Sequence, residues 1–146
     1  MPTVHDPSYR AALENRVRAL GQDSPRQWGT MTIDQMLWHV NSAMQVALGQ
    51  LNAPAEKTPL PRAILKFMVL NLPWMKGAPT SPAVLAKGKY DLETERQRCL
   101  NLVGQLASKS VDSAWADSPF LGPMSGQEVG RLQAKHLDHH LRQFSA

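Results

Sequence analysis

At 146 residues, 42% of them hydrophobic and only Cys99 a cysteine, the chain has enough apolar material for one domain with its own core, and it has no second thiol to close an internal disulfide. The net charge of +4 and the pI of about 9.5 arise from dispersed bases, with acids such as Glu14, Glu93 and Asp138 between them, and neither a basic run nor interleaved aromatics marks a nucleic-acid surface. No basic n-region with an apolar h-region opens the chain, and the most apolar stretch, Ala63 to Met75, is broken by Lys66, Asn71 and Pro73, so the expectation is a cytoplasmic domain spanning 1–146 that binds neither nucleic acid nor membrane.

Four stretches carry helical periodicity. The first is predicted from about Pro7 to Leu20, with Leu13, Val17 and Leu20 on one stripe and Gly21 as its stop. The second runs from Thr32 to about Leu48 and opens on Thr32-Ile-Asp-Gln35, the pattern of a capping box in which the Thr hydroxyl accepts an amide and Gln35 reaches back. A Pro-rich connection follows, Ala53 to Lys89, with a short helix-like piece near Pro61 to Leu72. The third helix spans about Asp91 to Ala107, with Asp91 as N-cap and Leu92, Cys99, Leu102, Val103 and Leu106 as apolar members. The fourth starts at a second capping box, Ser125-Gly-Gln-Glu128, and reaches about Phe144. β-Alternation is absent, so the expected fold is all-α: a four-helix bundle with a long Pro-rich crossover between helices 2 and 3 that contains a short extra helix.

The last helix carries the chemistry. Its segment Lys135-His-Leu-Asp-His-His-Leu141 places His136 and His140 four residues apart, hence on one face, where two imidazoles can clip a metal ion. At 100° per residue with Val129 at zero, His140 falls at about 20° and His136 at about 340°, on the apolar side, whereas Arg131, Asp138 and Arg142 gather at about 200°. His139 falls at about 280°, at the edge of that face, and is the weaker ligand candidate. His39, in the middle of the second helix, sits about 60° from Met36 and inward enough to share a cleft with the pair. A lone inward histidine is more often a core residue bonded to a carbonyl. Three imidazoles in one core are costly to desolvate, and a metal would satisfy their lone pairs together; spacing alone leaves both readings open.

These residues also carry a resemblance. Trp28-Gly29 with Met31, then Met36-Leu37 with His39, the loop Lys76-Gly-Ala-Pro-Thr80, Pro119-Phe120 with Gly122, and the block Lys135 to Phe144 resemble the DinB/YfiT-like superfamily of metal-binding four-helix bundles, in particular a branch of small bacterial proteins. The resemblance implies one divalent ion held by His39, His136 and His140, with zinc or nickel favoured over iron or manganese. It gives His139 no ligand role. Characterised relatives activate low-molecular-weight thiols such as bacillithiol or mycothiol, and one branch isomerises maleylpyruvate with mycothiol. The implied activity is therefore a metal-dependent thiol S-transferase or hydrolase acting on a small-molecule substrate, with a thiol as cosubstrate. A non-catalytic, stress-related bundle that binds metal or a small ligand is the alternative, and either form is compatible with a homodimer.

Other polar residues offer less. Glu128 is claimed by its capping box, Asp138 points away on the wheel, and Ser125 reads as an N-cap without an activating base. Gln35 and Gln133, each about one turn before a candidate ligand, can orient ligands or serve as a cap and a polar edge. Cys99 among apolar neighbours is expected to be an inert core thiol. The loop 73–82 is either a lid or a Pro-stapled connector, and Trp38 and Trp74 either line a pocket or face a second subunit.

Overall fold

Four helix starts among the described residues are set by local polar side chains. In the computed structural model, which describes residues 2–78 and 80–146, Asp6 Oδ1 accepts from the amides of Ser8 and Tyr9 at 2.9 and 3.2 Å and starts α1 (Pro7–Ala19). Gln35 Oε1 accepts from Thr32 N–H at 3.0 Å at the head of α2 (Ile33–Ala47). After α3 (Arg62–Asn71), Asp91 caps α4 (Leu92–Ser108) through the Thr94 amide at 2.9 Å. Ser125 and Glu128 exchange hydrogen bonds of 3.2 and 2.9 Å at the start of α5 (Gly126–Gln143). A single 3-10 turn, Pro82–Val84, follows the loop after α3. Pro79, in the 73–82 loop, and Met1 lie outside the described residues.

The all-α expectation holds: the described residues form five α-helices and no strand beyond an isolated bridge between Ser118 and Gly122. No described helix is long and apolar enough to cross a membrane. α2 is the most enclosed element. It packs against α4, α5 and the Pro82–Val84 turn, while α1 packs against α4 and α5, and α3 lies on α5. Leu13 and Val17 from α1, Met36, Leu37 and Val40 from α2, Val103 and Leu106 from α4, and Leu137 and Leu141 from α5 are all but inaccessible to solvent, each stabilising the fold by about 1.5–3 kcal/mol.

A buried polar contact is built into the α2–α4 seam. Buried Asn41 donates to the carbonyl and the carboxylate of Glu95 at 2.9 and 3.2 Å, and Glu95 is paired with Arg98 at 2.8 Å. These bonds fix the sliding register of α2 against α4. The first turns of α5 need glycine for a different reason: a Cβ on Gly126 would overlap the Val111 backbone, and one on Gly130 would overlap Thr3 and His5. That close approach ties the chain ahead of α1 and the segment after α4 to the helix that carries His136 and His140.

Candidate metal centre

His39 projects from α2 and His136 and His140 from α5, and the packing of these two helices brings one nitrogen of each within 4.8 Å of the others. Each pair of rings has centroids 4.8 Å apart and lies nearly edge to face, at 77 to 81°. His39 and His140 are buried, and His136 keeps partial exposure. The helical face derived from 100° per residue is therefore the face that the fold turns inward.

Hydrogen bonds fix what two of these rings present. His39 Nδ1 lies 2.8 Å from the Val84 carbonyl, which can only accept, so the proton is on Nδ1 and Nε2 carries a lone pair. His140 Nδ1 lies 2.8 Å from Gln143 Oε1, again an acceptor, with the same result. His39 Nε2 and His136 Nε2 are 2.9 Å apart. As a hydrogen bond this contact needs the proton on His136, because His39 has committed its own to Val84. Two ligands each about 2.0–2.1 Å from a shared ion would also lie about 3 Å apart.

Electrostatics favours neutral rings. Burial, opposed by the hydrogen bond to Val84, lowers the pKa of His39. Burial, then the charge of His39, takes His140 down to about 3. Burial, followed by repulsion from His140, His39 and His139, puts His136 well below the usual histidine range. Neutral imidazoles are the state that binds metal, and no carboxylate or thiolate belongs to the cluster among the described residues. Such a donor set suits a first-row divalent ion.

An aromatic layer covers the cluster. Trp74, from the loop after α3, has its ring 5.8 Å from that of His136 and 5.4 Å from that of His139. Trp28 packs on His139 from another side at 5.4 Å, with Lys76 over its indole at 4.8 Å. Trp74 is pinned by an indole N–H donated to the Val69 carbonyl at 2.7 Å, a carbonyl that Lys135 also engages at 2.7 Å. His139 thus sits outside the cluster, half-buried between two indoles.

The remaining candidates are placed elsewhere or otherwise engaged. Gln35 is spent on Thr32 and the Gly88 carbonyl. Gln133 is buried rather than a polar edge, and its Oε1 has no partner. Trp38 stacks on Tyr90 at 5.3 Å. Asp138 pairs with Arg16 and Arg142 at 2.8 and 3.0 Å, and Glu128 with Lys66 at 3.3 Å. Cys99 is buried, and desolvation pushes its thiol up to about 12. Two groups absent from the sequence-derived candidates prove central: the Val84 carbonyl, which no side-chain pattern reveals, and Gln143, which at 100° per residue falls at about 320°, beside His136.

An all-helical chain with three neutral imidazoles converging from two packed helices defines a class of protein built around one interior site. The family model of the DinB superfamily matches residues 9–144, which include all three histidines, and the chain belongs to that superfamily. No curated protein and no solved structure matches it.

Proposed function

We propose that the protein is a divalent-metal-dependent enzyme whose ion is held by His39, His136 and His140, and that α1, α2, α4 and α5 form the four-helix bundle of one domain, 1–146, with α3 carried on the crossover. The observation behind this is the convergence of three imidazole nitrogens within 4.8 Å, two of them with lone pairs fixed by Nδ1–H bonds to Val84 and Gln143. Zinc and nickel suit the donors best, ahead of iron and manganese. Three protein ligands leave coordination positions open, and the ion supplies a Lewis acid that lowers the pKa of water or a thiol there. The activity class that follows is thiol S-transfer or hydrolysis of a small molecule, with a low-molecular-weight thiol as cosubstrate in the first case. Trp74, packed on His136, restricts the approach to the cluster.

Metal analysis of tag-free protein tests the site. Near-stoichiometric metal that survives dialysis and is lost in His136→Ala supports it; protein that stays metal-free under metal-replete conditions sinks it. Activity separates enzyme from binder: metal-loaded protein that accelerates neither thiol conjugation nor ester hydrolysis above His39→Ala would leave the non-catalytic bundle as the reading.

A separate observation favours a homodimer. The outward side of α3 and its flanks exposes Leu60, Ile64, Phe67, Met68, Leu72 and Met75, at 38 to 81% of their surface. At about 150–250 Å² for a large side chain this is on the order of 500–600 Å² of apolar surface. Two such faces together would remove roughly 1,000–1,200 Å² from solvent, near the lower edge of specific interfaces. A dimer in light scattering that becomes a monomer in Phe67→Glu fits this reading, and a wild-type monomer at high concentration overturns it.

A further inference from the structure

We propose that Gln143 is the positioning residue of the centre, setting both the tautomer and the orientation of His140; this rests on the metal reading of the three histidines. The assignment is forced by a chain of contacts. The Trp28 carbonyl can only accept, so the group facing it at 2.9 Å is the Gln143 amide nitrogen. The same amide must then turn its oxygen to His140 Nδ1, 2.8 Å away. A flipped amide would set oxygen against oxygen at Trp28. With Oε1 facing it, Nδ1 must carry the proton, and the lone pair of His140 is left on Nε2, in a ring whose centroid lies 4.8 Å from those of His39 and His136.

The surroundings hold this relay in place. Gln143 is buried at 3% exposure, and its own carbonyl accepts from the Gln27 amide at 2.7 Å. Gly29 has φ +79°, and a Cβ there would stand 2.7 Å from the Gln143 amide nitrogen. Trp28-Gly29 is thus the seat of the relay: its carbonyl orients the glutamine, and its glycine leaves the room. His39 receives equivalent support from the Val84 carbonyl, a backbone group. Gln143 is the member of this support that substitution can remove.

The test begins with a readout that needs no metal. In full-length, ¹⁵N-labelled, metal-free protein, long-range ¹H–¹⁵N spectra are expected to show His140 as the Nδ1–H tautomer. In Gln143→Leu, which keeps the bulk but loses the acceptor, His140 is expected to move towards the Nε2–H form and the metal dissociation constant to rise roughly 10–100-fold. Gln143→Glu, which keeps an acceptor for His140 but sets an oxygen against the Trp28 carbonyl, is expected to keep the Nδ1–H tautomer while recovering only part of the affinity. Gly29→Ala touches no ligand and is expected to weaken metal binding in the same direction as Gln143→Leu. A wild-type His140 protonated on Nε2 overturns the proposal whether or not any variant folds. Folded Gln143→Leu with unchanged spectra and wild-type affinity overturns it equally. Wild-type protein with the expected tautomer but no metal affinity would sink the metal reading while leaving the control of His140 by Gln143 supported.

Discussion

The three histidines refuse protons that an unfolded chain would take. All are held below the ordinary histidine value of 6.5, His140 at about 3, chiefly because burial penalises the imidazolium. Above pH 6.5 the rings are neutral in both states and add no pH dependence. Below it the unfolded chain binds protons that the folded site excludes, so the stability of metal-free protein falls as pH decreases below 6.5, and His140, with a folded value of about 3, contributes to this fall down to that pH. Chelator-treated protein is therefore expected to lose thermal stability steadily between pH 6.5 and 5, and His140→Ala to show a shallower slope. A flat profile in wild-type protein would contradict the neutral cluster. Cys99 works in the opposite sense. Its folded pKa is raised to about 12, so the thiol contributes stability that is present below its ordinary value of 9.0 and is lost as pH rises above it. At neutral pH Cys99 is expected to resist alkylation until the chain is unfolded.

Helix placement depends on a second set of contacts, less visible in the sequence than the caps. Arg96 of α4 donates to the carbonyls of Val17, Arg18 and Leu20 at 2.6, 3.2 and 2.7 Å while pairing with Glu93 at 2.9 Å. It thereby satisfies the open C-terminal end of α1 and locks α1 to α4. Arg96→Ala removes the side-chain donor from the Arg18 and Leu20 carbonyls and leaves Val17 only the Leu20 amide, and is expected to cost about 1–2 kcal/mol, lowering Tm by roughly 3–8 °C. Arg96→Lys should recover only part of this, because one ammonium cannot span the carbonyls that the planar guanidinium reaches. Caps are local signals, and they were legible: Thr32 with Gln35, Asp91, and Ser125 with Glu128 mark helix starts in the sequence as in the structure. Arg96 reaches across about eighty residues to backbone atoms, and no spacing rule identifies a backbone acceptor. The same holds for Val84, whose carbonyl is delivered to His39 by a three-residue turn in a Pro-rich connection. Gln143 was legible in principle, one turn beyond His140 on the same face, but its role becomes apparent only once Trp28 lies against it.

Across the whole molecule, the histidines bring together α2, α5, the Pro82–Val84 turn and the loop after α3. α2 and α4 share the extensive seam that contains Asn41 and Glu95, whereas the Pro82–Val84 turn meets His39 through the Val84 carbonyl and the loop after α3 meets His136 through Trp74. An ion held by His39 and by the α5 pair would tie α2 to α5 at this end. Binding of metal to the folded state alone stabilises it by about 2.7 kcal/mol when free metal is a hundredfold above its dissociation constant. That stabilisation should be distributed unevenly, since local opening follows local contacts. Amide exchange in chelator-treated protein is therefore expected to accelerate in three places: the turn 82–84, the described part of the loop 73–82, and the last two turns of α5. Protection in α4 and in the facing part of α2 should stay near its metal-loaded level, because Leu102, Val103, Leu106 and the Asn41–Glu95 contact do not depend on the ion. His136→Ala should reproduce the chelated pattern and be insensitive to added metal. Uniform acceleration across all helices would instead mean that the ion supports the entire core, and unchanged exchange at 82–84 would separate the Val84–His39 contact from metal binding.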